Sequence, residues 1–129
     1  MSTIEFIKPI SPETMIPARI IGIKEGEVET EMVTLQVSKI DQVWRKDRFS
    51  YSGLGGADRK ESKIKGVENW ISIYNQVHAP IIYITNNDPQ NLFFVDGRHT
   101  TAFLTESGYK EAKFIIPSIQ LNIILDSFA

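Results

Sequence analysis

The stretch that decides the fold is Phe94-Val95-Asp96-Gly97-Arg98-His99-Thr100-Thr101, in which an apolar run ends abruptly at an Asp-Gly pair. Apolar and aromatic residues before the pair are typical of a strand. After the pair, no proline or glycine interrupts the chain until Gly108, which stands where a glycine commonly ends a helix. The stretch therefore predicts a strand over 92–95, a tight turn, and a helix over 99–107.

This strand–turn–helix predicts a place for an anion. The first turn of a helix leaves backbone N–H groups unpaired, and the macrodipole adds about half a positive charge there. Gly97 has no side chain to obstruct an anion, while Arg98 and His99 supply donors. Thr100 and Thr101 add two hydroxyls. We therefore expect a phosphate to be the ligand of this turn.

A plainer interpretation of the same residues needs no ligand. Asp96 would cap the helix by accepting hydrogen bonds from the N–H groups just after it. Gly97 would only supply an unusual turn, and Arg98 would point to solvent. Because Asp-Gly before a helix is a common pattern, the local residues alone favour this plainer interpretation.

The flanking sequence predicts an α+β domain. Pro80-Ile81-Ile82-Tyr83-Ile84-Thr85 and Ala112-Lys113-Phe114-Ile115-Ile116 are apolar and β-branched, as in buried strands. Between 64 and 77, apolar residues recur at helical spacing and predict an amphipathic helix, in which Trp70 widens the buried stripe. Residues 118–129 suit either a closing helix or a strand.

The N-terminal third is expected to hold an arm and a β-hairpin. Three prolines within residues 1–17 predict an extended arm broken by turns. Val33, Leu35 and Val37 alternate with polar residues at the period of a half-buried strand. Gly26 lies where a hairpin turn would place a glycine, so residues 1–32 are predicted to form the arm and an antiparallel hairpin that leads into this strand.

Composition narrows the classes of function. The 129 residues are 42% hydrophobic and 23% charged, as in one ordinary globular domain, and the net charge of −2 disfavours nucleic acid as a partner. No apolar run approaches the roughly 20 residues that cross a bilayer. The first residues lack the pattern of a secretory signal, so we expect a cytoplasmic protein without membrane contact. The absence of cysteine excludes a thiol nucleophile, and neither histidine has the spacing of a metal ligand.

Residues 93–109 resemble the VDG-x-H-R-x-x-A…L…G segment of ParB N-terminal and sulfiredoxin-like domains. The resemblance extends over 33–117, with an opening strand at 33–40 and the helix and strand of 66–84 in the family's order. It implies a small mixed sheet with helices packed on it, and a nucleotide phosphate at residues 96–101. Arg48 falls where this family often carries an arginine.

The chain departs from this family at two positions. Arg98 stands where sulfiredoxins keep their nucleophilic cysteine and partition proteins keep a glutamate. Thr100 replaces an arginine, and a threonine hydroxyl supplies far less than a bidentate phosphate donor. Without cysteine, sulfinic-acid reduction by the family's mechanism is excluded. Gly97 and His99 match the family pattern.

Two functions remain open from the sequence. In the first, the domain binds a nucleoside triphosphate, with or without Mg²⁺, and hydrolyses or transfers a phosphate. Asp96 and His99 would be its catalytic groups, and Arg48 or the glycine-rich loop at 53–58 would close over phosphates held by residues 97–101. Asp58 and Glu61 beside that loop could hold the metal, although a mobile polar loop is the simpler interpretation.

The second function is that of a non-catalytic interaction protein. An inhibitor, an immunity protein or a regulatory partner would keep the fold without full ligand binding. The apolar tail at 123–129 would then offer a surface to a protein partner or to a second copy in a homodimer, if its own chain does not bury it.

Overall fold

The computed structural model describes residues 3–129 and contains both helices and strands, which confirms the α+β prediction. The strands are β1 (Glu5–Ile7), β2 (Thr30–Gln36), β3 (Gln76–His78), β4 (Ile81–Thr85), β5 (Asp88–Asp96) and β6 (Glu111–Pro117). The α-helices are α1 (Val37–Trp44), α2 (Glu61–Tyr74), α3 (Arg98–Glu106) and α4 (Leu121–Phe128). Single 3-10 turns lie at Pro12–Thr14 and Ser118–Gln120.

The main sheet has four strands in the order β2-β6-β4-β5. β4 runs parallel to β6, while the β2–β6 and β4–β5 pairs are antiparallel. The two central strands carry the apolar runs, because a strand with neighbours on both sides is covered on both faces. Ile81, Ile82, Ile84, Phe114 and Ile115 are fully buried there.

The helices complete the core unevenly. α1 packs against α3, α4 and β5, and Trp44 at its end is buried. α2 contacts α3 and β3, yet Ile64 is its one buried side chain. Most residues of this peripheral helix are exposed to solvent. No helix within residues 3–129 combines the length and the apolar character required to cross a membrane.

The predicted N-terminal β-hairpin is wrong. Residues 18–22 form turns, and β2 pairs along its whole length with β6 instead, from Thr30 opposite Pro117 to Gln36 opposite Glu111. The alternation of Val33 and Leu35 correctly indicated a half-buried strand, whereas Val37 begins α1 instead of continuing the strand. The alternation did not specify the partner of the strand. Gly26 does take a positive φ of 86°, although its turn joins two segments that are not strands.

The glycine-rich loop is held by hydrogen bonds at several points. The Tyr51 hydroxyl donates to the buried carboxylate of Asp41 at 2.6 Å, and the N–H of Asp58 donates to the carbonyl of Tyr51 at 3.2 Å. Gly56 lies so close to the Tyr51 carbonyl that a β-carbon would overlap it. The sequence did not indicate that Tyr51, which precedes this loop, is buried, and the mobility of the loop stays a prediction.

The C-terminal tail is a helix and packs on its own chain. Ile124 and Phe128 of α4 are 0% and 1% exposed, and α4 contacts α1, β2 and β5. The tail was expected to offer a partner surface only if its own chain did not bury it. Because Ile124 and Phe128 belong to the core, this condition is not met.

Candidate functional site

The turn between β5 and α3 depends on Gly97. This residue has φ 89° and ψ 17°, a left-handed conformation that a residue with a side chain adopts at a cost. A β-carbon here would also lie 2.6 Å from Cα of Pro80, the residue just before β4. The missing side chain thus makes room for Pro80. This differs from the expectation that it makes room for an anion.

The first turn of α3 is not capped by a side chain. Gly97 is its N-cap residue, and the exposed carboxylate of Asp96 accepts no hydrogen bond from the turn. The N–H of Thr101 is the first that bonds back to Gly97, at 2.9 Å. The N–H groups of residues 98–100 therefore have no partner within residues 3–129, and the capping interpretation of Asp96 is wrong.

A cleft of about 520 Å³ opens beside this turn. α2 and β3 form its other wall, so residues distant in sequence meet residues 95–100. The neighbouring elements contribute Lys63, Gly66, Val67, Trp70, Val77 and His78. Both histidines of the chain, His78 and His99, line this one cleft.

The charges that line the cleft favour an anion. Lys63 and Arg98 are its cationic side chains, and Asp96 is its single carboxylate. Lys63 forms no ion pair with another described residue, so its ammonium group is available to a ligand. Together with the dipole of α3, Lys63 and Arg98 give an anion two cationic side chains and unpaired N–H groups to meet in the cleft.

Thr100 and Thr101 have different surroundings. The Thr101 side chain is fully buried, and its hydroxyl donates to the carbonyl of Gly97 at 2.9 Å. Thr101 therefore does not reach the cleft, contrary to expectation. Thr100 is 9% exposed and lines the cleft, and its hydroxyl has no hydrogen-bond partner in residues 3–129. Its hydroxyl oxygen is not among the fully sealed unpaired atoms, so it retains some access to solvent.

His99 holds the loop that precedes α2. The N–H of Lys60 donates to Nε2 of His99 at 3.2 Å, and the carbonyl of Asp58 lies 3.2 Å from the same nitrogen. Burial lowers the pKa of His99 and outweighs the opposing effect of Asp58. Nε2 either accepts from the Lys60 N–H or, as the protonated tautomer, donates to the Asp58 carbonyl. In both cases the loop engages this nitrogen, which leaves it unavailable as a general base.

Arg98 is shared between the cleft and Asp58. Its Nε lies 3.4 Å from Oδ2 of Asp58, and its side chain remains 41% exposed. The Ser52 hydroxyl donates to the same carboxylate at 2.5 Å. Burial acts to raise the pKa of Asp58, but the Ser52 hydrogen bond and the charge of Arg98 outweigh it, so the pKa is lowered. Asp58 is therefore an anion in the folded protein.

Asp58 and Glu61 do not combine into a metal site. Asp58 faces Arg98, whereas Glu61 pairs with Arg59 at 2.5 Å. Within residues 3–129, no group of three or more histidine and carboxylate side chains is arranged to hold a metal ion.

Arg48 is not brought to the cleft. It lines a separate depression with Thr105 and Glu106, at the C-terminal end of α3. That helix of nine residues is about 13 Å long, so Arg48 lies a helix length away from Gly97. The role expected for Arg48 in holding phosphate has no support from its position.

Sequence reasoning missed Lys63, Trp70 and His78 as cleft residues. Trp70 was assigned to the buried stripe of α2, yet it is 51% exposed. One available signal was the spacing of Lys63, Gly66, Val67 and Trp70, which places them along one side of the helix. That side adjoins the buried stripe, and only the packing of α2 against α3 shows that it faces Gly97.

Comparison with protein-family models, with curated proteins and with solved structures finds no match to this chain. The resemblance to ParB and sulfiredoxin-like domains therefore stays a prediction, and the geometry of the cleft carries the functional argument.

Proposed function

We propose that this protein binds a nucleotide or another phosphate-bearing small molecule in the cleft between α2 and α3. The observation that carries the proposal is Thr100, a residue that is 9% exposed and lines the cleft, and whose hydroxyl has no hydrogen-bond partner in residues 3–129. A phosphate oxygen would accept its hydrogen bond.

The groups around Thr100 support the proposal of a phosphate site. The unpaired N–H groups of residues 98–100 donate to the same region, as at other phosphate-binding helix N-termini. Arg98 and Lys63 approach from α3 and α2, so the ligand would meet positive charge from two elements. Hydrogen bonds between charged partners are roughly twice as strong as neutral ones.

Hydrolysis or transfer of a phosphoryl group is an extension of this proposal. Asp96 is the one carboxylate that lines the cleft. Mg²⁺ commonly uses one or two carboxylates together with the phosphates of its substrate. If the ligand is a nucleoside triphosphate, Asp96 is the residue that would hold the metal or orient a water. His99 is the weaker catalytic candidate because the loop occupies its Nε2.

The direct test is thermal unfolding with pyrophosphate and with each nucleoside triphosphate, with and without Mg²⁺. A ligand at 100 times its Kd stabilises the folded state by about 2.7 kcal/mol, which raises Tm by several degrees for a chain of this size. Thr100→Val replaces the hydroxyl with a methyl group, and we expect it to reduce the ligand-induced increase in Tm.

Two lysines supply a matched control. Lys63 lines the cleft, whereas Lys65 lies on the same helix outside it and pairs with Glu68 at 3.3 Å. Lys63→Ala should reduce the ligand-induced shift, and Lys65→Ala should leave it unchanged. If no phosphate compound shifts the Tm of the wild type, the proposal is wrong and the interaction-protein alternative gains support.

A further inference from the structure

An exposed tryptophan lines the phosphate cleft. Trp70 is 51% exposed, although burial of so large a side chain is favourable. Tyr74, which is 53% exposed, packs against its ring with the ring centroids 4.3 Å apart and the planes inclined by 46°. The indole therefore packs against its neighbour, keeps about half of its surface exposed and lines the cleft.

Trp70 and Lys63 lie at two points along the same helix face. They are seven positions apart in the sequence, which corresponds to about 10 Å along the axis of α2. Gly66 lies between them, and no atom lies within 4 Å of the position that a β-carbon would occupy there. The cleft is therefore not blocked between Lys63 and Trp70. The distance between these two residues is comparable with the length of a nucleotide.

We infer that the ligand carries a planar aromatic group that stacks on Trp70 while its phosphate binds at the first turn of α3. This inference rests on the proposed function and narrows it from phosphate compounds in general to nucleotides. Stacking of a base on an aromatic side chain tolerates any base, because every base has a π-face. We therefore expect Trp70 to distinguish nucleotides from sugar phosphates, with little discrimination among bases.

A hydrophobic protein partner is the competing explanation for an exposed aromatic side chain. The neighbouring Ile73 is 71% exposed and does not line the cleft, whereas Trp70 does. The cationic groups Lys63 and Arg98 line the same cleft as the ring. An apolar partner would desolvate both charges at a cost, while a nucleotide satisfies the charges and the ring together.

The test compares AMP with ribose 5-phosphate, which share the sugar and the phosphate and differ only in the base. We expect AMP to bind about 10-fold more tightly, in line with the effect of one stacked base. Trp70→Leu should remove this advantage, whereas Trp70→Phe should retain much of it. Ile73→Ala is the control on the same helix, and it should change neither affinity.

Fluorescence supplies an independent readout. The chain has two tryptophans, and Trp44 is only 2% exposed, so Trp70 dominates the long-wavelength emission. AMP should quench this emission, and the quenching should disappear in Trp70→Phe. Equal affinities for AMP and ribose 5-phosphate with unchanged emission would overturn the inference and leave phosphate binding intact. Absence of binding by either compound and by pyrophosphate would remove the proposed function and the inference with it.

Discussion

Arg98 and Asp58 join the first turn of α3 to the loop before α2 through an ion pair of 3.4 Å between Nε and Oδ2. The same arginine lines the cleft. If the cleft binds phosphate as we propose, Asp58 would compete with the ligand for the guanidinium group. We therefore expect a residue outside the cleft to affect the strength of phosphate binding.

Neutralising Asp58 should strengthen phosphate binding. Asp58→Asn keeps a partner for the Ser52 hydroxyl but removes the charge that faces Arg98. We expect pyrophosphate to bind several-fold more tightly, measured by calorimetric titration. Glu61→Gln is the control, since Glu61 pairs with Arg59 and lies outside the cleft. If Asp58→Asn instead binds pyrophosphate more weakly, Asp58 positions Arg98 for the ligand and does not compete with the ligand for it.

Replacing Gly97 with alanine should strongly destabilise the fold. The substitution combines a left-handed backbone with an overlap against Pro80, and we expect a loss of about 2–4 kcal/mol in the free energy of unfolding. Urea denaturation measures this loss. Gly108→Ala has a similar φ of 81° but open space around the new β-carbon, so it should cost only about 1 kcal/mol. Equal losses in the two variants would contradict the role assigned to Pro80.

His99 should make stability fall in mild acid. Burial lowers its pKa in the folded protein, so the unfolded chain binds a proton more readily. Above the unfolded pKa of about 6.5, the ring is neutral in both states and its protonation does not change stability. As the pH falls from there towards the lower pKa of the folded state, protonation of the unfolded chain decreases the free energy of unfolding. His99→Gln offers the Lys60 N–H an acceptor that does not titrate. We expect this variant to lose less Tm than wild type between pH 7.5 and pH 5.5. His78→Gln is the control, and a wild-type response in His99→Gln would refute the assignment.

The Tyr51–Asp41 hydrogen bond should stabilise the glycine-rich loop. Asp41 is 3% exposed and accepts from the Tyr51 hydroxyl at 2.6 Å and from Arg45. Tyr51→Phe leaves a buried carboxylate oxygen unpaired, which should cost about 1–3 kcal/mol in thermal or urea unfolding.

The same hydrogen bond predicts a response to alkaline pH. Burial, and then the hydrogen bond to Asp41, raise the pKa of Tyr51 to about 12. The contribution of this hydrogen bond to the free energy of unfolding should be complete below the unfolded pKa of about 10, and it should be lost as the pH rises towards 12. A Tyr51→Phe variant as stable as the wild type at neutral pH would show that the loop does not depend on this contact.

Local chemistry made the strand–turn–helix predictable. β-branched and aromatic residues, an Asp-Gly pair and a terminal glycine act within a few residues, so they indicated α3 and the end of β5 to within one residue of the structure. The pairing of β2 was not predictable in this way. The alternation in β2 indicates which face of the strand is buried. It does not indicate the strand with which β2 pairs, because that strand is β6, which lies some 80 residues later in the chain.

The sequence by itself determined the strand–turn–helix around Gly97 and the donors that follow it, because those properties depend on neighbouring residues. Only the tertiary structure decided which donors reach the cleft. It turns Thr101 inward, engages His99 with the loop, separates Arg48 by the length of α3, and places Lys63 and Trp70 of α2 opposite the turn. Residues far apart along the chain share a cleft only when packing brings their elements together, and the helical pattern of α2 does not specify which helix it will meet.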